Sequence, residues 1–169
     1  MVREEFKPKY FFDLSSFAHA DLFDNVNYIW EVLEKIGKYI QDCDKSGYRD
    51  IGNGVYIADD VIIEPFVNIK GPTIIGQGSE VKSGAYIRGN VIIGKDCVVR
   101  SEMKNSVMMD NSHAAHLSYI GDSILGNHCN LGAGSVLSNL KHDKSIVRLK
   151  FDGETIDTGL KKFGAIFGE

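Results

Sequence analysis

The sequence is poor in proline and lacks a long apolar run. Only three of its 169 residues are proline, whereas about 5% is usual in globular proteins. No stretch of about 18 consecutive apolar residues occurs, so we do not expect a membrane-spanning helix. The amino terminus, MVREEFKPKY, also lacks the apolar run of a signal peptide. We therefore expect a globular protein that does not insert into a membrane.

Basic charge and cysteine are also scarce. The chain has 19 Lys and Arg residues against 23 Asp and Glu, a net charge of −4. This balance argues against nucleic acid as a partner, because binding phosphates requires a basic surface. Cys43, Cys97 and Cys129 are odd in number and fit no zinc or redox motif. They indicate free thiols in a reducing cytoplasm, and no bound metal is expected.

Glycine, by contrast, is abundant, and an aliphatic residue recurs every six positions. The 18 glycines suit a chain with many tight turns. The recurring positions are Ile51, Ile57, Ile63, Ile69, Ile75, Val81, Ile87, Ile93 and Val99. A mostly small residue stands four positions after each, and Gly, Asn or Asp occupies the intervals. This is the hexapeptide repeat of a parallel β-helix.

Three hexapeptides close one triangular coil of 18 residues, so the repeat predicts three interior columns. They are Ile51, Ile69 and Ile87; Ile57, Ile75 and Ile93; and Ile63, Val81 and Val99. Coils stacked about 4.8 Å apart would join these branched side chains into ladders. After Val99 the six-residue spacing is interrupted (a phase slip), and the repeat resumes at Met108, Ala114, Ile120, Leu125, Leu131 and Leu137. The predicted fold class is therefore all-β.

Residues 1–49 do not share the repeat and predict a helical cap. Apolar residues spaced three or four apart from Asn25 to Ile40 indicate an amphipathic helix, with Asp24 or Asn25 as its N-cap. We expect it to seal the first coil and to bury Trp30 there. The alternative is an element that binds a partner protein.

Residues 50–169 form the predicted β-helix domain, with an inserted loop at about 140–164. Ile146–Lys150, Asp152-Gly153 and Glu154–Ile156 are typical of a hairpin with a type I′ turn, which we expect to project from the β-helix. A hexapeptide begins again at 165–169. The sequence ends there, which suggests a chain truncated at its C-terminus.

Candidate catalytic residues cluster after the phase slip. His116, Tyr119, Asn130 and Asn139 all occupy outward positions of their hexapeptides. A histidine can accept a proton near neutral pH, and hydroxyl and amide groups can orient an acyl group. These residue types suit acyl transfer. The alternative is that they are polar surface residues without a catalytic role.

The segment AHLSYIGDSILGNHCNLGAGSVLSN resembles the acetyltransferase domain of the bifunctional N-acetylglucosamine-1-phosphate uridylyltransferases and their archaeal sugar-1-phosphate nucleotidylyltransferase relatives. That family carries G-H-L-[ST]-Y-x-G-D, then N-I-G-A-G and an asparagine. The spacings from His116 to Asn130 and Asn139 agree without a gap, and DTGLKKFGAIFGE is similar to the archaeal branch. The resemblance implies a left-handed β-helix, a homotrimer and active sites between subunits.

The resemblance also implies a role for each residue. His116 would be the base that deprotonates the amine of an amino-sugar 1-phosphate such as glucosamine 1-phosphate, with acetyl-CoA as the acyl donor. Asn139 would contact the acetyl donor or the transition state, and Tyr119 and Asn130 the amino sugar. Lys104 stands at the family spacing for a phosphate-binding lysine. Arg88 aligns with a phosphate-binding arginine after a two-residue gap.

The chain departs from the family pattern in three ways. We expect no nucleotidyl transfer from these 169 residues, because they do not include the family's nucleotidylyltransferase domain. Leu140 replaces a tyrosine of the bacterial proteins, and the later coils that in the family help to bind coenzyme A are not among these residues. A non-catalytic β-helix that binds a sugar nucleotide or a partner protein is therefore the alternative function.

Other candidate residues are interpreted as structural or stay open. His113, His116 and His128 invite comparison with hexapeptide carbonic anhydrases, which bind zinc through three histidines. Cys97 and Cys129 fall at small-residue positions and are interpreted as core packing. Lysines and an arginine give the inserted loop a basic bias, suited either to phosphates or to a solvated hairpin.

Overall fold

The computed structural model describes residues 3–169, which form an N-terminal helical segment followed by short strands. The 3-10 helices are Glu4–Phe6, Pro8–Tyr10, Ala20–Phe23 and Ile29–Glu31, and helix α1 is Val32–Asp42. The strands are β1 Arg49–Asp50, β2 Val55–Ile57, β3 Ile62–Ile63, β4 Asn68–Ile69, β5 Thr73–Ile75, β6 Glu80–Val81, β7 Tyr86–Ile87, β8 Val91–Ile93, β9 Val98–Val99, β10 Glu102–Lys104, β11 Ser106–Met108, β12 His113–Ala114, β13 Tyr119–Gly121, β14 Ile124–Leu125, β15 Val136–Leu137, β16 Arg148–Phe151, β17 Glu154–Asp157 and β18 Ile166–Phe167.

Successive coils stack into three sheets that form the sides of a triangular solenoid. Sheet A has the order β1-β2-β5-β8-β11-β14-β18, sheet B the order β12-β9-β6-β3, and sheet C the order β15-β13-β10-β7-β4. Stacked coils pair in parallel, for example β5 with β8 and β7 with β10. The predicted left-handed parallel β-helix is confirmed.

The interior columns agree with the prediction except at their start. Ile57, Ile75, Ile93, Met108 and Leu125 are in register on sheet A. Ile69, Ile87, Met103, Ile120 and Leu137 are in register on sheet C, and Ile63, Val81, Val99 and Ala114 on sheet B. Ile51 was wrongly placed in a column. It follows β1, which pairs antiparallel with β2, and it is 46% exposed.

The phase slip after Val99 reflects two shortened corners. Four residues separate β6 from β7, but only two separate β9 from β10. Three residues separate β7 from β8, whereas Asn105 alone separates β10 from β11 and adopts a φ of 47°. Asparagine tolerates this left-handed conformation, so the corner closes in one residue. Met103 therefore enters the column of Ile87, and the register is preserved.

The N-terminal segment packs along the outer side of sheet A. The outward side chains of that sheet are aliphatic and fully buried: Ile74, Ile92, Val107 and Ile124. They share one apolar cluster with Ile29, Trp30, Leu33, Ile36 and Ile40 of the segment. Helix α1 contacts β8 and β11, in the middle of the solenoid. Residues 3–48 therefore cover one side of the β-helix.

The expected cap over the first coil is wrong, although the burial of Trp30 is confirmed. Trp30 is 2% exposed, but its ring lies 6.3 Å from that of Phe163, beside the last coil. Phe66 and Ile62 of the first coil remain 91% and 55% exposed. Helix α1 also begins later than predicted, at Val32 with Glu31 as its N-cap, and the 3-10 helix Ile29–Glu31 precedes it.

The C-terminal segment forms the predicted hairpin and then rejoins the solenoid. Strands β16 and β17 pair antiparallel, and Asp152 and Gly153 have φ angles of 49° and 76°, as a type I′ turn requires. The hairpin does not project freely. Phe151 packs on Phe6 at 5.0 Å between ring centroids, and Glu154 accepts a 2.7 Å hydrogen bond from Arg3. Strand β18 then pairs in parallel with β14.

Candidate active site

The outer side of sheet C carries three of the predicted site residues. Tyr119 is in register with Glu102 one coil below, and Glu102 with Tyr86. Lys104 and Arg88 each follow a residue of the interior column and so form a second outward row. Because neighbouring strands lie about 4.8 Å apart, the two cations are close neighbours. The sheet thus presents tyrosine and cation rows side by side.

Arg88 is positioned by its contacts within this surface. Its Nη1 donates a 2.7 Å hydrogen bond to Glu102 Oε1, and its guanidinium lies 5.9 Å from the ring centroid of Tyr86. The hydrogen bond with Glu102 raises the pKa of Arg88 from its ordinary value. The arginine therefore stays charged, and its guanidinium is held by Glu102 and the Tyr86 ring.

Tyr119 and Asn139 converge above Gly121. A Cβ atom placed on Gly121 would lie 2.6 Å from both the Tyr119 hydroxyl and the Asn139 Nδ2. A Cβ atom at this position would force one or both of these side-chain ends to move, so the approach as it stands depends on the glycine. The hydroxyl and the amide therefore share one small region at the edge of sheet C.

Asp122 fixes the Asn139 amide and was missed by the sequence reasoning. It is 4% exposed and accepts hydrogen bonds from Asn139 Nδ2 and, at 2.9 Å, from Asn105 Nδ2. One Asn139 N–H is thereby used, which leaves a second N–H and the amide oxygen for another group. The signal was present in the sequence, since Gly121-Asp122 lies within the quoted motif.

His116 lies at the corner that joins sheets B and C. It is exposed, as is Leu117 beside it. The corner is held from beneath by the buried Ser101, whose Oγ lies 2.5 Å from Ser118 Oγ. The Leu117 carbonyl also accepts a 2.9 Å hydrogen bond from the Gly134 N–H in the next coil. The imidazole is therefore carried on a fixed turn and open to solvent.

Asn130 lies on a different side of the solenoid from Tyr119 and Asn139. It forms a parallel bridge with His113, on the outer surface of sheet B. Sheets B and C diverge from the corner of His116, because that corner is convex. One chain therefore places Arg88, Lys104 and Tyr119 on sheet C with Asn139 near Tyr119, His116 at the corner before strand β13, and Asn130 on sheet B.

The cysteines are consistent with packing roles. Cys97 is fully buried, and burial raises the pKa of its thiol to about 12. Cys129 is half-buried, and burial raises its pKa as well. Because the thiolate is the reactive form, both thiols are poorly suited to nucleophilic chemistry.

The basic inserted loop borders the site through Lys161 and Lys162. With Asn105 and Asp122 they line a cleft of about 580 Å³ next to Asn139. Leu140, one of the three departures from the family pattern, forms an antiparallel bridge with Lys162. The loop is thus fastened against the edge of the site.

None of the helices within residues 3–169 is long and apolar enough to cross a membrane. In the same range, no three His, Cys, Asp or Glu side chains lie together in a group that could hold a metal ion. His113, His116 and His128 are exposed.

Comparison with known proteins gives one family. The sequence pattern described as the GMPPB C-terminal domain matches residues 69–156, just over half of the chain. The bifunctional sugar-1-phosphate nucleotidylyltransferase/acetyltransferase of Sulfurisphaera tokodaii is 38% identical over 126 residues, which cover 63% of this chain and 31% of that protein.

Two archaeal proteins match more of the chain. The bifunctional protein GlmU of Methanococcus vannielii is 35% identical over 83% of this chain and 36% of its own length. The GlmU of Methanococcus maripaludis strain C5 is 35% identical over 86% of this chain and 37% of its own length. The chain thus spans about a third of the length of these relatives. It belongs to the GMPPB C-terminal domain family and is a homologue of the bifunctional GlmU proteins.

Proposed function

We propose that this protein is an acetyltransferase of sugar-nucleotide biosynthesis, which moves the acetyl group of acetyl-CoA to an amino-sugar 1-phosphate. The observation that carries the proposal is the cluster on sheet C. A tyrosine hydroxyl and an oriented amide meet at Gly121, in register with Lys104, and the corner that precedes strand β13 carries an exposed histidine. The Sulfurisphaera tokodaii relative, whose name includes acetyltransferase, supports the same chemistry.

His116 is the proposed proton acceptor. The amine of the sugar attacks the thioester carbonyl of acetyl-CoA, a C–N bond forms, and the C–S bond breaks. The proton lost by the nitrogen passes to the His116 imidazole and from there to the departing thiolate, which leaves as free coenzyme A. General base catalysis of this kind contributes about 10²–10⁴-fold to a rate.

Asn139 and Tyr119 are proposed to orient the reacting groups. Asp122 holds one Asn139 N–H, so the second N–H points in a fixed direction and can donate to the oxygen of the acetyl group. Such preorganised donors stabilise the charge that develops on that oxygen. Lys104 and Arg88 are proposed to hold the phosphate, which pairs well with cationic donors.

A homotrimer is the proposed functional state. Asn130 diverges from the cluster within one chain, so a second copy has to supply it, with His116 at the boundary between the two. Leu117 and Val136 are each 64% exposed beside the cluster, as apolar contacts for a neighbouring copy. A closed ring avoids open-ended association. Sedimentation should give a trimer at micromolar concentration, and a stable monomer would contradict the shared site.

The proposed function is tested by the release of free thiol from acetyl-CoA, with glucosamine 1-phosphate and galactosamine 1-phosphate as acceptors. We expect release with at least one of them and a loss of about 10²–10⁴-fold in kcat for His116→Ala. His128→Asn is the matched control, because His128 is also exposed at a corner, and asparagine tolerates its φ of 59°.

Two results would contradict the proposal. The first is the absence of thiol release with every amino-sugar phosphate tested, which would favour a non-catalytic module that binds a sugar nucleotide or a partner protein. The second is an equal effect of His116→Ala and His128→Asn on the rate, because only His116 borders the sheet C cluster.

A further inference from the structure

The turn that carries His116 is longer than the corner beneath it. Four residues, 115–118, separate β12 from β13, whereas only two separate β9 from β10 in the coil below. Backbone N–H groups at this short corner donate hydrogen bonds to the Ala114 and Ser118 carbonyls, at the two ends of the turn. The middle of the turn, with His116, therefore extends past its backbone support.

Two serine hydroxyls bridge the ends of this turn. Ser101 is fully buried in the short corner, and its Oγ donates a 3.1 Å hydrogen bond to the Ala114 carbonyl. The same Oγ lies 2.5 Å from the Oγ of Ser118, at the other end of the turn. Ser118 Oγ in turn lies 3.4 Å from the His116 carbonyl oxygen. Ser101 therefore joins the residue before the turn to its last residue and holds the turn closed.

Ser101 differs in its partner from the other buried serines of the solenoid. Residues 3–169 contain five buried serines. Four of them accept a hydrogen bond of 3.0–3.1 Å from a backbone N–H of the next coil: Ser79 from Cys97, Ser106 from Ser123, Ser112 from Cys129, and Ser123 from Ala165. The partner of Ser101 in the next coil is a side chain, the hydroxyl of Ser118. Any residue type except proline offers a backbone N–H, whereas this contact requires a particular side chain.

We infer that Ser101 and Ser118 are positioning residues for His116, an inference that rests on the proposed function. Neither hydroxyl takes part in the chemistry, and both act through the backbone of the turn. A general base must lie within hydrogen-bonding distance of the proton that it accepts, and a displacement of about 1 Å can lower a rate about 10²-fold. The two serines restrict the positions that the exposed imidazole can adopt.

Acetyl transfer by serine variants of the full chain tests this role. Ser101→Ala and Ser118→Ala should each lower kcat about 10–10²-fold and leave KM for the amino sugar within about twofold, because the substrate contacts stay intact. Ser118→Thr keeps the hydroxyl and should keep the activity. Ser79→Ala is the matched control, since it removes an equally buried hydroxyl between β5 and β6. It should lower the unfolding midpoint about as much as Ser101→Ala and leave kcat unchanged.

A double-mutant cycle shows whether Ser101 acts through His116. Adding Ser101→Ala to His116→Ala should cause no further loss of rate, because the turn then has no imidazole to position. Losses that multiply would overturn the inference and leave the proposed function standing. An unchanged kcat in both serine-to-alanine variants, or an equal loss in Ser79→Ala, would do the same.

Hydrogen exchange of the Gly134 N–H measures the turn without substrate, because that group donates to the Leu117 carbonyl. Ser101→Ala should accelerate its exchange about tenfold, as the loss of one hydrogen bond does, and Ser79→Ala should not. Unchanged exchange in Ser101→Ala would overturn the inference whatever the activity. If the parent protein acetylates no amino-sugar phosphate, the proposed function fails, and the inferred role fails with it.

Discussion

Sheets A and C are built from the same repeat, yet their outer surfaces differ in composition and in what covers them. The outward residues of sheet A include Ile74, Ile92 and Val107, all fully buried beneath the N-terminal segment. Equivalent positions of sheet C hold Tyr86, Glu102 and Tyr119, which remain partly exposed. Packing constrains the side chains inside a hexapeptide solenoid. The sides of the solenoid therefore acquire different roles through their outward residues.

The physical basis of the difference is the cost of leaving aliphatic side chains in water. Burial of one Ile or Val side chain is worth about 1.5–3 kcal/mol, so a row of them favours a covering segment. Tyrosine and charged side chains gain from solvent contact and from each other, as in the hydrogen bond between Lys70 and Tyr86. The covered side therefore stabilises the fold, and the open side can bind ligands.

The largest expected effect comes from removing the main anchor of the covered side. Trp30→Ala should lower the free energy of unfolding by about 3–5 kcal/mol, because the indole is buried among Phe6, Tyr28 and Phe163. Chemical denaturation measures the change. Trp30→Phe, which keeps most of the apolar volume, should lose clearly less. Equal stability of Trp30→Ala and the parent protein would show that the segment does not support the β-helix.

An effect of intermediate size is expected from His19, which lies where the N-terminal segment meets the solenoid. Its ring is 4% exposed, with Nδ1 3.1 Å from the Tyr39 hydroxyl and Nε2 3.3 Å from that of Tyr48. Burial lowers the pKa of His19 to about 4, an effect that Asp21 partly opposes. The folded state therefore favours neutral histidine, whereas the unfolded chain binds a proton below its ordinary pKa of about 6.5.

Stability should accordingly be full above pH 6.5 and decline as the pH falls towards 4, by about 3 kcal/mol from this residue. Unfolding curves measured between pH 7 and pH 4.5 test this. His19→Gln keeps hydrogen-bonding groups without a titration in this range, so its stability should depend less on pH. The same dependence of stability on pH in both proteins would contradict a buried neutral His19.

The smallest expected effect concerns the open side. Val136→Thr on sheet C should change the stability of the isolated chain by less than about 0.5 kcal/mol, because the side chain is 64% exposed. The measurement is made at several protein concentrations. A larger loss of stability that increases with protein concentration would show that another copy covers this surface. The outer side of sheet C would then be covered by a second copy, and that of sheet A by the chain's own N-terminal segment.

The sequence does indicate where the N-terminal segment packs, but only when the outward positions of the hexapeptides are considered together with the inward ones. In every third hexapeptide from Thr73 onwards, the residue between the two inward positions is aliphatic: Ile74, Ile92, Val107, Ile124 and Ile166. That pattern marks one side of the solenoid as apolar on both surfaces. The prediction of a cap over the first coil followed inward positions alone, and so placed the helix at the end of the solenoid.

The sequence by itself determined the features that depend on local spacing. These are the coil, the interior columns, the type I′ turn at Asp152-Gly153 and the burial of Trp30. Tertiary structure alone decided which groups meet across coils. The bond of Asp122 with Asn139, the approach of Tyr119 over Gly121 and the divergence of Asn130 all join residues from different turns. Their meeting depends on corner lengths that shift by one or two residues, and a six-residue period does not specify those lengths.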